Sequence, residues 1–275
     1  MTIPAVYKSI AVASTFSPRF VQVLSEAKRI RSRFGSQLGL IYVGERDAET
    51  DRKFSEVLGQ LELPLDSPIH YVAGDPAVAI LRTVEEAGID LIVAGALEKE
   101  VVLHPFLGNV ARRLVREAGC SVMLFTDPNT EPKPLQRIVF VADYSDHGRA
   151  ALKKVIALAA AENSERLYVI RIVTTFDEIR AAREASPEKG EGAGKPPDEE
   201  TALEEYVLSI GHTDVPIEVR CIRGNTGLAA SDFVDSMKAD LLVVPVPAVQ
   251  NPTDSLPPNI SWITDVIPCN LWVIR

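Results

Sequence analysis

The sequence predicts an α/β protein built from two repeated, doubly wound domains, each with a five-stranded parallel sheet. Three observations carry that expectation. The chain repeats itself, its strand-like runs are apolar throughout instead of alternating, and helical patterns lie between those runs. Unbroken apolar runs suit strands covered on both faces. Its 275 residues leave room for two cores at roughly 150 residues per domain.

The repeat reads directly from the residues. Ile69–Pro76 (IHYVAGDP) and Asp90–Gly95 (DLIVAG) correspond to Val219–Thr226 (VRCIRGNT) and Asp240–Pro245 (DLLVVP) at an offset of 150. Ile10–Ser17 (IAVASTFS) corresponds to Ile138–Ser145 (IVFVADYS) at an offset of 128. Cys120–Leu124 matches Cys269–Val273 near the two ends. The growing offset implies about 22 extra residues in the second half, placed within 177–205, a stretch with 10 acids and 4 bases. Its centre, Pro187–Pro197, has the Gly, Pro and charge content of a mobile loop.

In chain order, strands are expected at 9–14, 37–43, 68–73, 90–94 and 121–125 in the first half. Their counterparts are 137–142, 166–173, 216–222, 240–244 and 270–274. Phe20, Leu24, Ala27, Arg31 and Phe34 step by three and four, as do Ile80, Val84 and Ala87, which is helical spacing. Gly35, Gly88 and Gly119 stand where helix C-caps are expected. Thr126–Pro134 holds three prolines and reads as an extended spacer. The expected division is domain 1 at 1–127, a linker at 128–134, and domain 2 at 135–275 with a flexible acidic insertion around 177–205.

Composition narrows the function classes. Apolar residues make up 46% and charged residues 24%, the balance of a globular chain. No apolar run approaches the roughly 18 residues needed for a membrane span, so no membrane insertion is expected. The net charge of −9 gives no general footprint for nucleic acid or anionic membrane. The N-terminus reads as mature sequence. Three cysteines outside any CxxC arrangement suit a reduced cytoplasm and no metal knuckle.

Three features carry a resemblance: an acid at the end of strand one (Asp143), Gly74-Asp75-Pro76 before the third helix, and a glycine-spaced loop after strand four from Gly95 to Gly108-Asn109. The chain resembles the universal stress protein family, in the arrangement of a tandem two-domain member with an adenine nucleotide α hydrolase-like fold. The resemblance implies a loop of the form Gly-x2-Gly-x9-Gly-(Ser/Thr) wrapping the phosphates of ATP or AMP, with the strand-one acid at the adenine and ribose end. Glycine backbone can approach phosphate oxygens, and a helix N-terminus adds its positive dipole end.

The residues depart from that pattern in opposite ways in the two halves. In the first, Thr15 replaces the acid, Glu98 stands at the second glycine, and Gly108-Asn109 close the loop. With Val43, these residues and Gly95 form the expected nucleotide site: Thr15, Val43, Gly95, Glu98, Gly108 and Asn109. In the second half Asp143 is kept, but Pro245, Pro247 and Pro258 fall at or beside the loop positions, before Asn259. Proline removes the amide donors such a cradle needs. Asp143, Pro245 and Asn259 therefore mark a degenerate second site.

Other features have plain readings. Gly190–Lys195 (GEGAGK) fails the phosphate-loop pattern by one residue and by Pro196, and reads as linker. His104 lies inside the first loop. Asp143, Asp146 and His147 could hold a metal, but Ser145-Asp146 reads as a helix N-cap, and no metal or catalytic residue is assigned. Cys120 and Cys269 read as packing residues. Lys28, Arg29, Arg31 and Arg33 read as a solvated face, with docking to an acidic partner as the alternative.

The expected function is that of a cytoplasmic, non-catalytic stress-response or regulatory protein with weak ATP or AMP binding in domain 1. Its fifth strands would pair as an intramolecular pseudo-dimer, with Trp272 at the contact and a further homodimer left open. The alternatives are a slow nucleotide-processing enzyme, or a cytosolic regulatory partner of a membrane transporter that binds no nucleotide.

Overall fold

The structure, a computed structural model, describes residues 6–14, 16–96, 108–175, 179, 198–247, 256, 261–264 and 267–275. The first half runs β1 (Ser9–Ser14), α1 (Phe20–Phe34), β2 (Gln37–Val43), α2 (Ala48–Gln60), β3 (Ile69–Val72), α3 (Pro76–Glu86), β4 (Leu91–Gly95), α4 (Asn109–Glu117) and β5 (Ser121–Phe125). The second runs β6 (Arg137–Val141), α5 (Asp146–Glu162), β7 (Arg166–Val173), α6 (Glu199–Leu208), β8 (Ile217–Arg223), α7 (Thr226–Met237), β9 (Leu241–Pro245), a 3₁₀ turn (Ser261–Thr264) and β10 (Asn270–Ile274).

Local chemistry sets the element ends. Asp75 caps α3 by accepting from the Val78 amide, and Pro76 supplies a preset φ at the first helical position. Ser145 caps α5 by accepting from the Gly148 amide, as the sequence predicts. Gly35 closes α1 at φ +65°, a left-handed conformation that favours glycine. Gly119 departs from its expected role: the cap of α4 is Ala118 in an extended conformation. Gly95 and Pro245, expected in loops, are the last residues of β4 and β9. From Glu199 onward the stretch expected as insertion is helix, because Leu203 and Tyr206 are buried and anchor it.

The strands form one sheet in the order β3-β2-β1-β4-β5-β10-β9-β6-β7-β8. Within each half all pairs are parallel. At the seam β5 and β10 pair antiparallel, with Leu124 opposite Leu271, Met123 opposite Trp272 and Val122 opposite Val273. Two apolar layers cover the faces, one under α1, α2, α5 and α6, the other under α3, α4 and α7.

Matching hydrogen bonds recur in the halves. Asp90 accepts from the Lys8 and Ser9 amides, as Asp240 does from those of Gln136 and Arg137. The Ser36 hydroxyl donates to the Tyr7 carbonyl, as Ser164 does to that of Leu135. Across the seam, the Arg275 amide donates to Ser121 Oγ and the Thr126 amide to Asn270 Oδ1.

The flanks of the seam differ. On one, Trp272 is fully buried against Tyr7 and Phe34, with ring centroids at 6.1 and 5.7 Å. On the other, Glu162 has no exposed side-chain surface and meets Arg29 Nη1 at 2.8 Å and Arg33 Nε at 2.9 Å. Arg29 also pairs with Glu26 at 2.7 Å. This corrects the expectation of a solvated basic face. Arg29 and Arg33 dock on an acid of the chain's own second half, Arg31 donates to the Ser36 carbonyl, and Lys28 pairs with Glu62.

Candidate functional site

In open α/β sheets ligands enter at the carboxyl ends of the strands, where the order reverses. In the first half that point lies between β1 and β4. Val43 ends β2 opposite Val72, and the next amide, Gly44, donates to the Val72 carbonyl. Gly95 ends β4 opposite Phe125. A Cβ there would come to 3.0 Å from Val23 Cγ2, so glycine lets α1 lie close against the strand. Gly108 precedes α4 in an extended conformation (φ −60°, ψ 156°), and no side chain caps the helix. Among the described residues the α4 N-terminus therefore presents amides without a side-chain acceptor, beside exposed Asn109. Ser14, the last residue of β1, is buried and donates to the Ile41 carbonyl. Thr15, Glu98 and His104 lie outside the described residues.

An aromatic cluster beside this crevice is absent from the sequence reading. Phe16 packs on Phe54 at 4.7 Å and on Tyr42 at 5.2 Å, with the Lys53 ammonium 5.5 Å from its centroid. Tyr71 donates to Asp51, which also takes Arg46 at 3.1 Å, and both contacts hold the Asp51 carboxyl below its ordinary range. The signal was the aromatic directly after strand one, Phe16 or Tyr144, in both halves.

The second crevice is built differently. Asp143 turns back on its own chain, and its Oδ1 accepts from the Ser145 amide at 3.0 Å and the Ser145 hydroxyl at 2.8 Å. Gly148 makes this possible, since a Cβ there would overlap that oxygen and lie 3.0 Å from the Tyr206 hydroxyl. Tyr144 takes φ +61° and packs on Tyr206 at 5.3 Å. Arg171 and Arg149 sit over these two rings at 5.0 Å each. Burial pushes the Tyr206 phenol up, and its hydroxyl has no partner among the described residues. Pro245 is buried in β9, next to Val246, whose amide donates to the Ile274 carbonyl. Where the first half has α4, the described residues of the second include a 3₁₀ turn at Ser261–Thr264. Its Trp262 touches α7 so closely that a Cβ on Gly227 would lie 2.8 Å away. Asn259 is outside the described residues, as is the Gly190–Lys195 run.

His147 does not join Asp143 and Asp146 in a metal set. Its Nε2 lies 3.0 Å from the Ile274 carbonyl. Among the described residues no group of three or more His, Cys, Asp or Glu could hold a metal ion. Burial pushes the Cys120 thiol up to about 12 and raises that of Cys269, which disfavours the reactive thiolate. No helix of the structure is long and apolar enough to cross a membrane.

A duplicated, doubly wound sheet with a crevice at the strand-one and strand-four ends of each half defines a tandem α/β protein of the switch-point class. The chain belongs to the universal stress protein family, whose pattern, described as "Universal stress protein family", matches residues 45–126 and 134–248. A search of curated proteins returned no match. Similar solved structures include a functionally unknown protein from Pseudomonas aeruginosa PAO1, at 15% identity and TM-score 0.71, covering 98% of this chain and 92% of that one. Another is a putative universal stress protein from Pseudomonas aeruginosa UCBPP-PA14, at 15% identity and TM-score 0.72, covering 98% and 93%. A third is a universal stress protein from Archaeoglobus fulgidus DSM 4304, at 14% identity and TM-score 0.63, covering 98% and 96%. At these identities the likeness is one of fold.

Proposed function

We propose that this chain is a cytoplasmic, non-catalytic regulatory protein that takes ATP or AMP weakly, and in its first half only. The observation that carries this reading is the difference between the crevices after the fourth strand. One has Gly95, Gly108 and an α-helix with no side-chain cap among the described residues; the other has Pro245 and a 3₁₀ turn packed on α7. Amides at a helix start suit phosphate oxygens, and a proline at the strand end removes one such donor. Val43, Gly95, Gly108 and Asn109 are the described residues placed to serve a nucleotide, with Thr15 and Glu98 on the neighbouring segments. Asp143, held by its own turn, leaves the second half a structural partner. Within one chain the β5–β10 seam supports the joining that two single-domain chains would otherwise supply.

The test is an ATP thermal shift, with and without Mg²⁺, on wild type and Gly108→Asp. Asp at an N-cap accepts from the first-turn amides and puts negative charge where a phosphate would sit. The variant is expected to melt higher than wild type and to lose the ATP shift. An unchanged ATP shift in the variant overturns the site. No shift in wild type overturns nucleotide binding and favours the transporter-docking alternative. Release of inorganic phosphate during the assay favours the enzyme.

A further inference from the structure

A second cavity lies at the other end of the first-half strands. It measures about 390 Å³ and is lined by residues that precede β1, β4 and β5, with Lys154 from α5 and Arg275 after β10. Both halves therefore contribute to its wall, and it sits at the sheet edge opposite Gly95 and Gly108. Its charged and thiol groups are Lys8, Asp90, Cys120, Lys154 and Arg275.

Three of these side chains are cations and one is a carboxylate. Asp90 is the side-chain acid of the set; its charge acts on Lys154, and its Oδ2 already accepts two backbone amides, at 2.8 and 3.0 Å. Lys154 is half-buried, and its contact is the face of Tyr7, 4.6 Å from the ring centroid. Arg275 gives Nη2 to the Val115 carbonyl at 2.6 Å, while its buried Nε and Nη1 find no acceptor among the described residues. Partly buried cations with no ion pair among the described residues are costly, so two of them in one cavity wall favour an incoming anion. Burial holds Lys154 below its ordinary range, against the pull of Asp90, and brings Arg275 down to about 10.

The matching place across the seam shows that the fold does not require this. There Glu26 stands where Lys154 does by the 128-residue offset, and it pairs with Arg29 at 2.7 Å. Thr126 stands where Arg275 does, and it is satisfied by Asn270. One flank is thus self-neutralised and the other left basic.

We propose that this cavity is a binding site for a small phosphate-bearing anion, held between Lys154 and Arg275 of the second half and Lys8 of the first. Guanidinium and ammonium groups together suit a tetrahedral oxyanion. The volume falls within the range of small-ligand sites and exceeds the need of a bare phosphate group, so the phosphate would carry a modest organic substituent. The site is separate from the nucleotide crevice.

The experiment uses the full chain and inorganic phosphate as probe, titrated by calorimetry and by melting at constant ionic strength against chloride. Wild type is expected to bind phosphate and melt higher in it. Lys154→Met, which keeps the stem over Tyr7, is expected to fold and to weaken phosphate at least tenfold. Lys154→Arg is expected to restore binding. Gly108→Asp is expected to bind phosphate as wild type does, whatever its behaviour toward ATP. Equal phosphate binding in Lys154→Met, no phosphate effect beyond chloride in wild type, or loss of the effect in Gly108→Asp would each overturn the proposal.

Discussion

The two strand-one positions show how one residue can keep its identity and change its work. Asp143 has the acid expected of a ligand contact, yet both of its hydrogen bonds go to Ser145. Asp143→Ala is therefore expected to cost about 1 kcal/mol in denaturant melts, the scale of a lost turn or cap acceptor, and to leave the ATP shift unchanged. A lost ATP shift would return that acid to the site. Glu26 is the residue with a readable pH effect. Burial raises its pKa above the ordinary value of 4.5 against the pull of Arg29. Between the unfolded value and that raised folded one the native state binds more protons, so stability falls as pH rises through the window. Glu26→Gln is expected to flatten that part of a melting-temperature profile; an unchanged slope would contradict the assignment.

At the scale of elements, legibility follows locality. Apolar runs such as LIVAG and LLVVP show β4 and β9 to within a residue because central parallel strands must be apolar on both faces. Helix α6 is hidden because EETALEEYVL carries four acids in ten residues, and Leu203 and Tyr206 alone mark its buried side. Gly95 and Gly108 are legible as the end of β4 and the residue before α4 because spacing fixes them, whereas the aromatics around Phe16 are brought together by packing and are not. Least legible is the α1–α5 contact, because Arg33 and Glu162 stand 129 residues apart. Removing one partner of a buried ion pair costs about 3–5 kcal/mol, whereas an apolar replacement of the whole group is close to neutral. Glu162→Ala is expected to show that loss in urea melts. The quadruple change Glu26→Leu, Arg29→Met, Arg33→Met, Glu162→Leu, which removes the whole ionic group, is expected to recover most of it. A single variant as stable as wild type would remove the pair from the account of the seam.

For the whole molecule, the unlike flanks of the seam decide which halves fit. Two copies of the first half would present Arg29 and Arg33 without Glu162; two copies of the second would bury Glu162 without its arginines. Trp272 would likewise lack Tyr7 and Phe34. Segments 1–127 and 135–275, expressed together as separate chains, are expected to assemble one to one. Sedimentation showing equal amounts of mixed and self-paired species would contradict this.

The antiparallel join has a geometric result for anything that recognises this protein from outside. It turns the carboxyl ends of the two strand sets toward opposite rims, so the two mouths look away from each other. A flat partner that seals one mouth leaves the other in open water, and four strands, β4, β5, β10 and β9, with the α1–α5 ion pairs beside them, join the two rims.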